Sequence, residues 1–317
     1  MLALFIARRI AGSVVLLLFI SLIIFGLLYI APGSPERLLL GHRPPDPEVI
    51  KEIRRTYHLD ESFFAQYWYW LSDAVQLKFG RSIVASQTVT SMISSRVGVS
   101  VFLGLYAFIG TMAIGVLVGM LSALKGDSII GRAVNAVAYV GMCTPSFATA
   151  VLLLYVFAVA LGWFPAFGPG QGFFDRVYHL TLPATAIVIS GSAYVIMFTR
   201  TAMVSSLGED YVAFARARGL RPRRVLFAHA LRNALIPVVT VGGSILAFLL
   251  IGTVIVESTF GLPGLGQLLL TSLKNKDIPV VQALSVLIAA IIIAGNLLTD
   301  VVYMLVDPRI RFGASAL

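Results

Sequence analysis

Residues able to do chemistry are few in this 317-residue chain, and they do not converge. The single cysteine, Cys143, lies in an apolar stretch, so there is no disulfide framework and no thiolate spacing for a metal. His42, His58, His179 and His229 are scattered, and no His, Cys, Ser and acid constellation falls on the apolar blocks, which disfavours an intramembrane enzyme. No G-x-x-x-x-G-K-[ST] loop is present to hold a nucleotide. Gly168-Pro169-Gly170 with Gly172 imitates a phosphate loop in composition only; no helix is expected to follow it and aim amides at a phosphate, so it reads as a turn.

The candidates within or beside apolar blocks are Pro145, with Thr144 and Ser146, then Glu257, Asn296 and Asp300. Pro145 would kink its helix for packing or border a pathway, as broken membrane helices often do. Glu257 would meet a solute or cap the next turn. Asn296, Asp300, Tyr303 and Asp307 lie near one face of a helix. Asp300, about 9 Å from the block's end by helical rise, is better placed to pair with Arg309, Arg311 or a neighbouring helix than with a solute. It is also the only acid inside a block, too few for a proton-driven transporter, and no internal repeat supports a secondary transporter.

The elements that must position these residues follow from composition. The chain is 58% hydrophobic and 12% charged, where a soluble domain carries about 25% charged residues. Six blocks, 10–30, 97–124, 133–161, 182–203, 235–256 and 280–306, reach the roughly 20 apolar residues that span about 30 Å of hydrocarbon. Arg8 and Arg9 precede the first block as in a secretory signal, but the block is too long and Ala31-Pro32-Gly33 is a poor cleavage site, so it reads as a retained helix. The net charge of +9 would suggest nucleic acid in a soluble protein; here it reports topology. With the N-terminus inside, the inner segments hold Arg8, Arg9, Lys125, Arg132, Arg200, the arginines from 216 to 232, Arg309 and Arg311, against Asp127, Glu209, Asp210 and Asp307. The outer segments are nearly balanced, so both termini are predicted to be cytoplasmic.

The expected organisation is a segment with the first helix (1–31), an extracytoplasmic loop (32–96), a five-helix core (97–307) containing a polar loop (204–234), and a tail (308–317). In the outer loop, Asp46-Pro47-Glu48 starts a helix with Val49, Ile50, Ile53 and Tyr57 on one face, and Glu48/Lys51 and Glu52/Arg55 at pairing distance. Ser62 then opens a segment with Phe63, Phe64, Tyr67, Trp68, Tyr69, Trp70 and Leu71, which favours interfacial anchoring over a ligand-stacking platform. In the inner loop, Ser206 stands three residues before Glu209 as in a capping box, Tyr211, Ala213, Phe214, Ala215 and Ala217 follow at helical spacing, and Gly219 ends the helix. Pro222 restarts helix through 223–234. A short rigid helix of small residues suits a partner's groove; the plain alternative is a solvated basic loop that only satisfies topology.

Asp210-Tyr211-Val212-Ala213-Phe214-Ala215-Arg216-Ala217-Arg218-Gly219-Leu220, continued by His229-Ala230-Leu231-Arg232-Asn233-Ala234-Leu235-Ile236-Pro237-Val238, resembles the EAA loop of binding-protein-dependent ABC importer permeases of the dipeptide and oligopeptide branch. Ala213 replaces the first Glu of the general pattern and the later proline is displaced, as the peptide branch also has it. Arg8-Arg9, Pro32-Gly33, Gln66-Tyr67, Trp70-Leu71, Phe79-Gly80-Arg81-Ser82, the run from Glu257 through Phe260-Gly261-Leu262-Pro263-Gly264-Leu265-Gly266, and the ending with Asn296, Asp300, Tyr303 and Asp307-Pro308-Arg309-Ile310-Arg311 are similar to the rest of that family.

The resemblance implies an all-α membrane protein of the ABC type I importer kind, with six transmembrane helices and a helical extracytoplasmic loop after the first. Asp210, Tyr211, Ala213, Ala215, Arg216, Arg218, Gly219 and Leu220 would couple to an ATPase; Pro145, Glu257, Asn296 and Asp300 remain candidates for the pathway or its gate. The implied partners are a second homologous permease, one or two ATP-binding subunits, an extracytoplasmic substrate-binding protein and the lipid bilayer. No nucleic acid, catalytic residue or metal ligand is implied, and ATP and Mg would be held by the partner ATPases. The implied cargo is short peptides, crossing the inner membrane of a prokaryote; nickel, glutathione or another small solute is the alternative within the branch.

Overall fold

The computed structural model describes residues 2–30, 34–40, 46–85, 87–126 and 128–306. The expectations for His42, Pro32-Gly33, Asp127, Asp307, Arg309, Arg311 and the 308–317 tail lie outside those residues. In chain order the helices are α1 (Leu2–Ile30), α2 (Pro35–Leu40), α3 (Pro47–Thr56), α4 (Phe63–Val75), α5 (Val89–Lys125), α6 (Ile129–Cys143), α7 (Ser146–Leu153), α8 (Gly172–Gly208), α9 (Asp210–Ala217), α10 (Pro222–Arg224), α11 (Arg232–Thr259), α12 (Leu265–Lys274) and α13 (Ile278–Val306). Two π-helical segments, Leu154–Ala160 and Val225–Leu231, extend α7 and precede α11. Among the described residues the only β pairing is an isolated bridge between Arg81 and Thr88.

α1, α5, α8 and α13 are each long and apolar enough to cross a membrane unbroken. The third and fifth expected spans are bent. The third turns by 101° between α6 and the α7 segment, far beyond a packing kink. Pro145 lacks an N–H and disfavours helical geometry at Thr144, which is extended (φ −87°, ψ 118°). The Thr144 carbonyl released there accepts from Ser190 Oγ of α8 at 3.2 Å, as backbone freed within a membrane must find a protein donor. The fifth bends by 43° next to Pro237. Among the described residues, counting each bent pair as one span gives up to six.

α5 and α8 have 37 residues each, about 55 Å at 1.5 Å per residue, so both outrun the blocks that predicted them. α8 begins at Gly172, directly after the glycine-rich turn, which corrects the expectation that no helix follows. The turn still offers no anion site: Asp175 in the first turn accepts from Gln171 N at 2.7 Å, placing the protein's own carboxylate at the helix N-terminus.

The chain folds as two compact units. One holds Val101–Leu262 and the helical ends at either terminus. Its centre is α8, the most buried of the long helices, with α6, α7 and α11 packed around it. α5 approaches it closely at Gly115, where a Cβ would overlap the Val195 side chain. The other unit holds Ala7–Ser100 and Pro263–Ala294. Val89, Leu265, Leu268, Val280, Ala283 and Leu284 form a buried cluster there. α4 lies along α1: the Phe25 ring is 5.4 to 5.7 Å from those of Phe63, Tyr67 and Trp70, and Ser21 Oγ is 2.8 Å from Tyr67 Oη.

Candidate functional site

The polar corner between α8 and α11 concentrates the residues of interest, and its construction starts with a break. Glu209 is extended (φ −76°, ψ 149°), which stops α8 at Gly208 and turns the chain into α9. The capping box does not form. Glu209, not Ser206, precedes the first residue of α9, and no side chain caps it. Ser206 is still inside α8, where its Oγ lies 2.9 Å from Ala230 O and 2.6 Å from Tyr211 Oη. Asp210 sits in the first turn of α9, favourable against the positive helix end.

The far end closes as expected. Gly219 takes φ +71°, its N–H bonds to Arg216 O at 2.9 Å and Leu220 N bonds to Ala215 O at 3.3 Å, the paired bonds of a left-handed C-terminal cap. Leu220 folds back onto the apolar base under the helix. That base joins Met120 and Ala123 of α5, Met203 of α8, Val212 and Ala215 of α9, Val225 and Ala230 of the second π-helical segment and Ala234 of α11.

α9 therefore has two faces. Val212 and Ala215 are turned inward and buried, so Ala215 seats the helix on its own chain. Phe214 is 71% exposed, and Ala213, Arg216, Ala217, Arg218 and Gly219 are exposed beside it. Tyr211 belongs to both: its ring is 37% exposed and its hydroxyl reaches buried Ser206. The result is a rigid apolar knob ringed by arginines, suited to pressing into a groove with acidic edges.

The pathway candidates do not gather with it. Pro145 stands at the 101° bend. Glu257, near the end of α11, is fully buried and partnered. Asn296 is exposed on α13, and Asp300, one turn on, is half-buried and partnered; its expected pairing with Arg309 or Arg311 lies outside the described residues. Among the described residues no group of three or more His, Cys, Asp or Glu comes together as metal ligands would.

In the other unit the Phe79-Gly80-Arg81-Ser82 motif is pinned by a residue that the sequence did not single out. Asp277, 2% exposed, accepts from Ser82 Oγ at 2.5 Å and from Ile83 N at 3.2 Å, while Ser82 Oγ accepts from Ala85 N at 2.8 Å. The available signal was an acid directly before Ile278-Pro279, where an apolar helix begins. Nearby, burial raises the Tyr57 hydroxyl above its usual pKa of 10.0 and the Asp277 charge adds to this, so Tyr57 stays protonated.

The chain is 36% identical to the oligopeptide transport system permease protein AppB of Bacillus subtilis (strain 168), over 98% of this chain and 100% of that one. It is 35% identical to the glutathione transport system permease protein GsiC of Escherichia coli (strain K12), over 97% and 99%. Its fold is similar to an inward-facing structure of the MetNI methionine ABC transporter, with TM-score 0.58 and 16% identity, covering 68% of this chain and 96% of that one. Residues 115–312 match the binding-protein-dependent transport system inner membrane component and residues 1–103 match the N-terminal part of such components, so the chain belongs to that family of multi-pass ABC importer permeases.

Proposed function

We propose that the chain is the membrane-spanning subunit of an ATP-driven importer that moves short peptides across the cytoplasmic membrane, with both termini inside. The observation that carries the reading is similarity to an oligopeptide permease along almost the whole chain, loops included. α9, with Asp210, Tyr211, Ala213, Phe214, Arg216, Arg218 and Gly219 on or beside its exposed face, is the part that meets an ATPase subunit; Ala215 and Leu220 hold it from below. ATP and Mg belong to one or two partner ATPases, a second homologous permease completes the channel, and an extracytoplasmic binding protein delivers the cargo. The bent helices at Pro145 and Pro237 and buried Glu257 are the candidates to line or gate the pathway.

A second reading, glutathione as cargo, is favoured by the similarity to GsiC. Proteoliposomes holding the complete transporter, with ATP beside the ATPases and binding protein on the opposite face, separate the two. Labelled dipeptide should accumulate only with hydrolysable ATP. Accumulation of glutathione with exclusion of di- and tripeptides would overturn the peptide assignment, and uptake without ATP would overturn the importer reading.

A further inference from the structure

One buried polar contact ties α9 to two membrane-crossing helices at once. Ser206 Oγ has a single proton and two neighbours, Ala230 O at 2.9 Å and Tyr211 Oη at 2.6 Å. A carbonyl can only accept, so Ser206 donates to Ala230, and Tyr211 must then donate to Ser206. The chain of bonds runs one way, from the Tyr211 hydroxyl through the Ser206 hydroxyl to the Ala230 carbonyl, and each link polarises the next in a low-dielectric surrounding. Its three members stand on different elements: the first turn of α9, the last turn of α8, and the π-helical segment that leads into α11. Ser206 is 6% exposed and Ala230 is 0% exposed.

Packing alone does not account for these hydroxyls. The base beneath α9 is apolar throughout, and a hydroxyl buried there is tolerated only when bonded. An alanine and a phenylalanine would seal the corner as well. What the bonded pair adds is direction and register. A π-helical segment differs from an α-helix by one residue in its bonding, and such segments are frequent at functional positions. A donor fixed on α8 and aimed at the Ala230 carbonyl pins one of the two registers.

We propose that Tyr211 and Ser206 form a hydroxyl relay that positions α9 against α8 and against the π-helical start of α11, so that a displacement pressed on the exposed face of α9 reaches both helices together. The relay rests on the reading that α9 meets an ATPase. Both are positioning residues and neither touches cargo or nucleotide.

The test uses the complete transporter in proteoliposomes, carrying Ser206→Ala, Ser206→Cys, Tyr211→Phe or the Ser206→Ala/Tyr211→Phe pair. Two ratios are read: hydrolysis with substrate-loaded binding protein over hydrolysis without it, and peptide moved per ATP consumed. Ser206→Cys keeps the volume but gives only a weak donor, so a packing role would leave its ratios near the parent's. A relay predicts that Tyr211→Phe, which removes one bond, lowers both ratios about fivefold, that Ser206→Cys lowers them at least as much, that Ser206→Ala, which removes both bonds, lowers them further, and that the pair is no worse than Ser206→Ala, because no bond is left for the second change to remove. Parent ratios in Ser206→Cys, or losses that multiply in the pair, would overturn the relay while leaving the importer reading intact. A parent complex that retains no ATPase on the permease would overturn both.

Discussion

At the scale of single residues, Gly219 and Ala215 make opposite demands on the same short helix. A Cβ built on Gly219 meets nothing within 4 Å, so only its φ of +71° restricts what can stand there. Gly219→Asn should therefore stay near the parent, Gly219→Ala should cost about 1 kcal/mol, and Gly219→Val should cost more, because a branched residue is least at ease in the left-handed region. The order to be measured is that of binding-protein-stimulated ATP hydrolysis, Gly and Asn above Ala above Val. Equal stimulation in all four would show that the turn does not set the helix's direction. Ala215→Asp acts from the other side. The position is 5% exposed on the chain's own base, so the carboxylate would lose about 2 kcal/mol or more in desolvation and lift α9 from its seat. Faster proteolysis around 204–234 in the isolated permease is expected before any partner is added, whereas a defect confined to the assembled complex would mean that Ala215 faces the partner.

At the scale of elements, α4 and the α2–α3 pair each carry a consequence that the sequence foreshadowed in part. α4 buries Gln66 and lays Phe63, Tyr67 and Trp70 toward Phe25, while Phe64, Trp68 and Val75 stay 73%, 69% and 77% exposed. That outward apolar face suits the headgroup level of a bilayer. Phe64→Ser with Trp68→Ser should loosen membrane contact, read as loss of quenching by brominated lipid of the fluorescence that remains in α4, and should leave assembly with the second permease unchanged. Trp68 already quenched equally by aqueous iodide in the parent would end the anchoring idea. The α2–α3 pair is joined by Arg54 and Glu36, with Nε 3.1 Å from the carboxylate. Glu36 is held below the usual carboxylate value chiefly by its own backbone N–H, against the opposing effect of burial, with Ser34 and Arg54 also lowering it. A lowered folded value means that the ionised form stabilises the fold: the contribution is present above about pH 4.5 and is lost as pH falls through the folded value. Amides of α3 should therefore exchange more slowly in the parent than in Glu36→Gln at pH 7, with the difference closing in acid. Glu48/Lys51 and Glu52/Arg55 stand at pairing distance within one helix, but the Arg54–Glu36 pair runs between helices, which spacing within one helix does not reveal.

At the scale of the whole molecule, what was legible follows the range of the interaction that fixes it. Apolar length and local start and stop signals are written in consecutive residues, so four unbroken spans, the Asp46 cap, the α9 helix and its Gly219 end could be read directly. Partnerships between distant segments could not: the spacing of Ser206 and Glu209 suggests a capping box while the partner of Ser206, Ala230, is 24 residues on, and nothing local to Asp277 points to Ser82, 195 residues away. Pro145 was visible, but the 101° turn depends on α8 offering Ser190 to the freed carbonyl. Charge asymmetry is legible in another sense, since it sets orientation without any tertiary contact. The arginines from 216 to 232 and the near balance of the first loop predict that α9 lies inside and the segment between α12 and α13 outside. Cysteine labelling with an impermeant maleimide tests this on a Cys143→Ser background, needed because Cys143 is exposed. Lys274→Cys, at an exposed position ending α12, should react in intact cells. Arg218→Cys, exposed at the end of α9, should react only after the membrane is opened. Ser206 would be a poor reporter for the same side because it is buried, and silence there would not distinguish burial from an inner location. Labelling of Arg218→Cys in intact cells, with Lys274→Cys protected, would invert the topology, place α9 on the side where no ATP is available, and remove the basis for a coupling role.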